Sequence, residues 1–349
     1  MTGSTLVVAP SWVGDAVLSE PLIAALRRAS TDRVIDVLAP PWCAPVYARM
    51  RGINSILENP VGHGELRLAE RKRIAAELRP RSYELAIVLP NSFKSALIPW
   101  LARIPARRGY LGEGRRVLLT DARRRDRRLH TPLVERFLAL ADESLPPSPS
   151  HADGSGATPI ASIPAPQLVA DERNADSAMQ ALGLTGERPV AILCPGAEYG
   201  PAKRWPAEHF VTLGRRLAAA GHAVWLLGSP NDKAICAPIA AALPGAHDLS
   251  GRTDLGTAID LLSRASIVIT NDSGLMHAAA AVRRPLVALF GSSSPRYTPP
   301  LSPVARIARI DIECSPCFKR ECPLGHFRCM RDLSPDLVYD LAGSAIPPP

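Results

Sequence analysis

The chain is poor in aromatic residues and has no long apolar run. Aromatic side chains make up 5% of the 349 residues, whereas apolar residues as a class make up 46%. No apolar segment reaches the roughly 20 residues that a membrane-spanning helix needs. The first residues also lack the basic region and the small-residue cleavage site of a secretory signal. We therefore expect a cytoplasmic protein whose core is built mainly from alanine and leucine.

Cysteine is scarce, and its distribution is uneven. The seven cysteines are an odd number, which argues against a disulfide scaffold. Cys43, Cys194 and Cys236 are interpreted as core residues. The other four lie together in a cysteine-rich segment, residues 314–330. They are Cys314, Cys317, Cys322 and Cys329.

The cysteine-rich segment allows two interpretations. A C-x2-C pair followed by two more cysteines can fill a tetrahedral zinc site, which would have a structural role in pinning a loop. The later spacings do not match a standard zinc knuckle, and His326 is a competing ligand. A set of reduced, partly buried thiols is the alternative, and the spacings favour it.

The first strand-like run lacks the three glycines of a dinucleotide-binding loop. The stretch "LVVAPSWVGDAVLSEPL", residues 6–22, has only Gly14, followed directly by Asp15. From the residues alone, Asp15 is predicted to cap the following helix. Pro21 would then be the sixth residue of that helix, which predicts a kink.

Positive charge is in excess and is unevenly distributed. The chain carries a formal charge of +8, and ten arginines lie between Arg103 and Arg128 against three acids. A solvated face is one interpretation. A surface for a polyanion such as anionic lipid or a phosphorylated glycan is the other. Nucleic acid is disfavoured because no aromatic platform for single strands accompanies the arginines.

Strand-like and helical segments alternate along the chain, as in βαβ units around a parallel sheet. The stretch 143–168 interrupts them and is rich in proline, serine, alanine and glycine, which is typical of a linker. We predict a Rossmann-like domain over 1–145, a linker over 146–168 and a second Rossmann-like domain over 169–349. Loops at the carboxyl ends of the strands should then line a cleft between the domains.

The second half contains the denser functional signal. In "PGAEYGPAKRWP", residues 195–206, a glycine turn at Gly196 leads to Lys203 and Arg204. Backbone amides and a helix N-terminus suit a phosphate, and the two cations add charge there. The loop "GSPNDKA" begins at Gly228, and its Asp232 is a candidate contact for ribose or base.

The segment "TNDSGLMHAAAA", residues 270–281, places polar side chains at a predicted helix start. Asp272 and Ser273 are either caps of the helix that Gly274 opens or ligand contacts. His277 lies on that helix beside an alanine run and is expected to face the ligand. A structural role is the alternative for each of them.

The first half has a comparable polar segment, "PNSFKSAL", residues 90–97. Its candidates for binding sugar hydroxyls or a phosphate are Asn91, Ser92 and Lys94. A polar cap on the next helix is the equally weighted alternative for the first two.

Taken together and in this order, three segments of the second half resemble the glycosyltransferase family 9 heptosyltransferases. These segments are "KRWP", "NDSGLMHAAAA" and "ALFGSSSP". Four further segments are similar to the heptosyltransferase II subgroup, which adds the second heptose. They are "SWVGDAVLSEPL", "GHGELRLAERKR", "VLPNSFKSAL" and "CSPCFKRECPLGHFRCM".

The resemblance implies a GT-B fold, in which two Rossmann-like domains with parallel sheets face each other across a cleft. It implies an inverting transfer of L-glycero-D-manno-heptose from ADP-heptose to the first heptose of a heptosyl-Kdo-lipid A acceptor. The acid after the first strand, Asp15, would be the general base, with Trp12 and Gly14 beside the acceptor. Donor contacts would fall on Lys203 and on the D-(S/T)-G-x-x-H motif that begins at Asp272.

The reaction makes two chemical demands. A carboxylate must take a proton from the acceptor hydroxyl, and cations or amides must face the diphosphate as ADP leaves. Neither half contains a D-x-D pair of the metal-clamp kind, so we expect Lys203 and helix N-termini to act, with no cofactor required for catalysis. Heptosyltransferase I or another core heptosyltransferase is the nearest alternative, and a non-catalytic nucleotide- or polyanion-binding protein is another. The expected location is cytoplasmic, with peripheral contact with the inner membrane and none with nucleic acid.

Overall fold

The chain forms two α/β units, which we describe separately. The computed structural model describes residues 3–62, 64–124, 132–142 and 163–346. The chain divides into compact units of residues 1–166 and 167–349. Most of the predicted linker lies outside the described residues. No helix in the described ranges combines the length and the apolar character needed to cross a membrane.

The first unit is built on six short strands, and every described pairing between them is parallel. Its central strands are buried on both faces, which explains why they are mostly apolar. In chain order the strands are β1 (Ser4–Val8), β2 (Val34–Ala39), β3 (Ser55–Glu58), β4 (Leu85–Val88), β5 (Ala106–Tyr110) and β6 (Asp121–Arg123).

The strand order of this sheet is β3-β2-β1-β4-β5-β6, which is the Rossmann order. β1 and β4 are neighbours in the sheet, so the order reverses between them. Ligands of such sheets bind beyond the carboxyl ends of the strands at this switch point. The loops after β1 and β4 are therefore the candidate ligand loops of the first unit.

The helices of the first unit include one break that the sequence predicted only as a kink. The pattern from residue 13 to residue 30 forms two helices, because Ser19 separates them. Pro21 is the second residue of the later helix, where its missing N–H leaves no hydrogen bond unmade. The helices are α1 (Val13–Leu18), α2 (Glu20–Ala29), α3 (Ala44–Tyr47), α4 (Leu68–Leu78), α5 (Leu97–Leu101) and α6 (Leu133–Leu138).

The second unit also contains six strands, again with parallel pairings. The strands are β7 (Val190–Cys194), β8 (Ala223–Leu226), β9 (His247–Asp248), β10 (Ile267–Asn271), β11 (Leu286–Leu289) and β12 (Ala305–Ala308). Their order is β12-β11-β10-β7-β8-β9, which is the Rossmann order counted from β7. The switch point of this unit therefore lies between β7 and β10.

Within the part of the chain that the structure describes, seven helices accompany the second sheet. The core beneath them is anchored by Trp205, which is fully buried. Its indole N–H donates to the Leu333 carbonyl at 2.9 Å, and its ring meets Phe210 edge to face. The helices are α7 (Glu172–Leu182), α8 (Ala207–Ala219), α9 (Lys233–Ala241), α10 (Leu255–Leu262), α11 (Gly274–Ala281), α12 (Arg328–Arg331) and α13 (Pro335–Ala345).

The arginine-rich stretch is not the continuous basic surface that its composition indicated. Arg108, Arg115 and Arg123 are buried. Arg108 pairs with Asp121 at 2.5 Å and also donates to the Leu140 carbonyl. These arginines brace the first unit from inside. The arginines from residue 125 onward lie outside the described residues.

Candidate active site

The second unit brings its candidate donor residues together at the switch point between β7 and β10. The loop after β7 contains a short 3-10 turn, Pro201–Lys203. The loop after β10 contains Asp272 and Ser273 and leads into α11. Residues separated by about seventy positions in the sequence thus meet at one edge of the sheet.

The ion pair of Lys203 and Asp272 is the centre of this cluster. Lys203 Nζ lies 2.5 Å from Asp272 Oδ2, and both side chains are largely buried. The Ser293 hydroxyl donates to the same oxygen at 2.5 Å. The ammonium also lies 5.0 Å from the centroid of the Tyr199 ring. An ammonium has three donors, so Asp272 fixes the lysine and leaves donors for a second anion.

Asn271 is a site residue that the sequence reading missed. It is fully buried at the end of β10. Its side-chain oxygen accepts from the Trp205 amide at 3.1 Å, and its side-chain nitrogen donates to the Pro195 carbonyl at 2.7 Å. Asn271 therefore holds both ends of the loop that carries Lys203. The only signal in the sequence was its position beside Asp272.

The N-terminus of α11 is not capped by either predicted residue. Ser273 occupies the N-cap position with an extended backbone, but its side chain makes no capping hydrogen bond. Asp272 precedes the cap and is engaged with Lys203. The cap interpretation was therefore wrong for both. The first-turn amides that begin at Gly274 are a suitable place for a phosphate.

His277 lies on α11 and is 5% exposed. Burial is the main reason why its pKa falls to about 4; Asp272 opposes the shift, and Lys203 adds to it. The imidazole is therefore neutral at physiological pH. The electrostatic influence of both partners places His277 near the ion pair, and its contact with a donor stays a prediction.

Asp232 has a structural role in addition to the predicted one. Its carboxylate accepts from the Ser229 amide at 2.8 Å and from the Ser229 hydroxyl at 2.7 Å. A Cβ at Gly196 would overlap this carboxylate, and one at Gly228 would lie 2.8 Å from the Asp232 Cβ. Both glycines are therefore needed for close approach to Asp232. A contact of Asp232 with ribose or base stays a prediction.

In the first unit, Asp15 is not the cap of the helix after β1. The N-cap of α1 is Trp12, which makes no side-chain capping bond, and Asp15 lies within the first helical turn. The cap interpretation was wrong because the helix begins at Val13, three residues earlier than an Asp15 cap requires. A carboxylate in this turn interacts favourably with the helix dipole. Burial is the main reason why the pKa of Cys43 rises to about 12 and why the pKa of Tyr47 also rises. The charge of Asp15 adds to both shifts.

The residues before Asp15 place an aromatic side chain beyond β1. Trp12 is 39% exposed, and the Trp42 indole N–H donates to the neighbouring Ser11 carbonyl at 2.8 Å. Gly14 is the second residue of α1. The assignment of Trp12 and Gly14 to acceptor binding stays a prediction.

The loop after β4 holds the other candidate acceptor residues. Ser92 accepts from the Ser95 amide at 3.3 Å and caps the 3-10 turn Phe93–Ala96, which was the structural alternative. Asn91 is exposed. Lys94 Nζ donates to the Gly64 carbonyl. The lysine therefore already has a protein partner.

Two buried arginines that the sequence reading overlooked hold this loop. Arg115 is fully buried and donates to the Tyr110 carbonyl at 2.8 Å and to the Ser92 carbonyl at 3.2 Å. Burial lowers its pKa to about 10, against the opposing effect of Glu113. Arg71 donates to the Lys94 carbonyl at 2.9 Å. The sequence did not reveal their role, because a count of charges does not show whether an arginine side chain points inward or outward.

The four cysteines of the cysteine-rich segment are free thiols; Cys329 is buried and the other three are partly exposed. Within the ranges that the structure describes, no three His, Cys, Asp or Glu side chains form a group that could hold a metal ion as they stand. Burial, followed by the charges of the other three cysteines, raises the pKa of Cys329 to about 11. The four thiols are therefore close enough to influence one another.

Comparisons with known proteins agree with this geometry. Residues 71–328 match the family model described as glycosyltransferase family 9 (heptosyltransferase). The chain is 42% identical to lipopolysaccharide heptosyltransferase 2 of Salmonella typhimurium over 340 residues, 96% of each chain. It is 40% identical to the Escherichia coli protein of the same name over 341 residues, again 96% of each chain.

A solved structure extends the similarity to the fold. It is described as the structure of E. coli ADP-heptose LPS heptosyltransferase II; the TM-score is 0.85 at 37% sequence identity, over 98% of each chain. The expected GT-B class, with its two Rossmann-like α/β units, is confirmed. The matched family and the near-complete coverage show that the chain is a glycosyltransferase and belongs to glycosyltransferase family 9.

Proposed function

We propose that the protein transfers L-glycero-D-manno-heptose from ADP-heptose to the first heptose of the lipopolysaccharide inner core, with inversion at the donor carbon. The observation that carries this proposal is the similarity to heptosyltransferase 2 relatives over almost the whole chain. A one-step displacement needs a base for the acceptor hydroxyl and a stabilised leaving group. The two units each offer residues for one of these tasks.

The second unit has the chemistry to hold the donor. The ammonium of Lys203 has donors left after its bond to Asp272, and the first-turn amides of α11 add further donors. Such groups stabilise the negative charge that develops on ADP as the sugar leaves. The neutral His277 adds no charge of its own to this site.

The first unit has a carboxylate suited to accept a proton. Asp15 lies in the first turn of α1, beyond the end of β1. A carboxylate there takes the proton from the acceptor hydroxyl as the new glycosidic bond forms. The proton passes to Asp15, and the bonding electrons of the cleaved bond leave with ADP. Asn91 and Ser92, at the end of β4, are proposed to orient the acceptor sugar.

The acceptor is a lipid, so we also infer a cytoplasmic protein in peripheral contact with the inner membrane. Exposed Arg103, Arg116 and Arg124 support this part of the proposal, because cations near an anionic surface favour binding by about 1 kcal/mol each. Co-sedimentation with anionic vesicles should exceed that with neutral vesicles and should decrease with salt. Equal sedimentation with both would contradict it.

The assignment of the second heptosyl step can be tested with two acceptors. Purified protein is incubated with ADP-heptose and a Kdo-lipid A acceptor that carries either no heptose or one. We expect ADP release and a mass increase of one heptose only with the acceptor that carries one. Use of the heptose-free acceptor alone would assign the first step instead, and no transfer to either acceptor would overturn the enzymatic proposal.

A further inference from the structure

The cysteine-rich segment takes no part in the proposed reaction, yet it packs against the donor loops. We propose that its four cysteines form a structural metal site of the zinc class, which holds this segment against the loops of the candidate donor site. The metal site itself is independent of the proposed function. Its effect on donor binding rests on that function.

All four cysteines line one small cavity. Its volume is about 20 Å³, which is enough for one small sphere. The Ser292 side chain also lines it, is 1% exposed, and has an oxygen without a hydrogen-bond partner in the part of the chain that the structure describes. A buried polar oxygen without a partner is costly and points to an occupant. The cysteine and histidine lining consists of Cys314, Cys317, Cys322, Cys329 and His326.

The hydrogen bonds of His326 decide which side chains would be the ligands. The Arg328 amide donates to His326 Nδ1 at 3.0 Å, so Nδ1 is the acceptor and the proton of a neutral ring lies on Nε2. His326 Nε2 lies 3.9 Å from Cys314 Sγ. A protonated nitrogen cannot bind a metal, but it can donate to a ligand sulfur. We therefore assign the four sulfurs as ligands and His326 as their supporting donor.

The backbone around Cys322 suits a metal-bound thiolate. The Phe327 amide donates to Cys322 Sγ at 3.4 Å, and the amides of Leu324, Gly325 and His326 also face this sulfur. Sulfur ligands of this kind favour zinc over harder cations. Because the sulfurs do not yet stand in coordination geometry, binding must contract the cavity toward Zn–S distances of about 2.3 Å.

The segment is joined to both donor loops by backbone contacts. The Phe318 amide donates to the Ser292 carbonyl at 2.6 Å, and the Ala202 amide donates to the Arg320 carbonyl at 3.0 Å. The Tyr199 hydroxyl donates to the Phe318 carbonyl at 2.9 Å. These loops carry the lysine and the serine that meet Asp272. Fixing the segment therefore fixes the donor site.

Metal content and spectroscopy test the site itself. The full chain, purified under reducing conditions and reconstituted with Zn²⁺, should hold about one ion, as a four-thiolate site requires. Replacement by Co²⁺ should give thiolate-to-cobalt charge-transfer absorption and the d–d bands of a tetrahedral ion. Both signals should be lost in Cys314→Ser/Cys322→Ser and kept in Cys236→Ala, a buried cysteine of α9. No metal in the reconstituted protein, or metal kept in the double variant, would overturn the proposal.

The His326→Ala variant tests the ligand assignment. It should keep the cobalt bands, with metal affinity lower by about 10–100-fold, as is typical when a supporting hydrogen bond is lost. Complete loss of metal in His326→Ala would make the histidine a ligand and contradict the four-sulfur assignment. Wild-type protein stripped by a chelator provides the same comparison if a variant fails to fold.

Hydrogen exchange tests the link to the donor loops without any substrate. Removal of zinc should cause loss of amide protection in residues 199–204 and 290–294, and added Zn²⁺ should restore it. Unchanged exchange in these loops would contradict the positioning role even if the metal is present. A metal-loaded protein that transfers no heptose would instead contradict the proposed function and leave the metal site standing.

Discussion

The two units share one strand order but present different groups at their switch points. In the second unit, the loops beyond β7 and β10 present the ammonium of Lys203 and the N-terminus of α11. In the first unit, the corresponding place beyond β1 presents the carboxylate of Asp15. The same scaffold therefore presents an ammonium and a helix N-terminus in one unit and a carboxylate in the other, so the loops and not the sheet determine which groups lie there.

The units also differ in how their loops are held. The loop after β4 in the first unit is braced by the buried guanidinium of Arg115, which donates to main-chain carbonyls. The loop that carries Lys203 in the second unit is held by the neutral side chain of Asn271 and by the ion pair with Asp272. A buried cation thus braces the loop in the first unit, whereas a neutral amide and an ion pair hold the loop in the second.

Arg115→Ala should give the largest loss of stability. It removes several hydrogen bonds to a charged group and leaves buried carbonyls without donors, so the free energy of unfolding should fall by about 3–5 kcal/mol. Urea denaturation measures the change. Arg116→Ala, at the exposed neighbouring position, is the matched control and should change stability by less than about 0.5 kcal/mol. Equal effects of the two substitutions would contradict the internal brace.

Lys203→Ala should give the largest loss of donor binding. Without the ammonium, Asp272 stays buried and repels the diphosphate, so we expect kcat/KM to fall by roughly 10²–10³-fold and ADP affinity to fall with it. Steady-state kinetics and calorimetric titration with ADP measure both. Arg188→Ala, an exposed position before β7, is the control for general loss of charge. ADP affinity unchanged in Lys203→Ala would remove the lysine from the donor site.

Gly196→Ala should lower the free energy of unfolding by less than Arg115→Ala does, because it forces only a local shift. Its methyl group would overlap the Asp232 carboxylate, and overpacking of this kind typically costs about 1–3 kcal/mol. Gly186→Ala is the matched control, since its nearest neighbour is the Met179 methyl at 3.7 Å. Thermal denaturation compares the two variants. A Gly196→Ala protein as stable as the control would show that Asp232 is free to move.

Lowering the pH should destabilise the second unit through His277. Its pKa is about 4 in the folded protein, below its ordinary value of 6.5, so between these values the unfolded chain binds a proton that the folded chain does not. The contribution of His277 to the free energy of unfolding is present above pH 6.5 and is lost progressively as the pH is lowered. At pH 5 the free energy of unfolding has fallen by about 2 kcal/mol. Urea titrations at pH 7 and pH 5 measure it. His277→Gln should lose this part of the pH dependence, and an unchanged slope in the variant would contradict it.

The sequence predicted the α/β class with parallel sheets, because alternating apolar strand runs and helical patterns are local signals. It did not predict that Lys203 would pair with Asp272, or that Ser293 would join them, since these contacts connect distant positions. From the residues alone it placed Asp15 at a cap, whereas the family resemblance made Asp15 the general base; the helix begins at Val13 and therefore includes Asp15. It also read Arg115 as part of a charged surface, because composition does not reveal burial.

The division of tasks between the units is tested most directly by Asp15→Asn, with turnover and ADP affinity measured on the same preparation. A lost general base should lower kcat by roughly 10²–10⁴-fold. ADP affinity should stay at the wild-type value, because the donor residues lie in the other unit. Turnover within a few-fold of wild type, or a parallel loss of ADP affinity, would contradict the account.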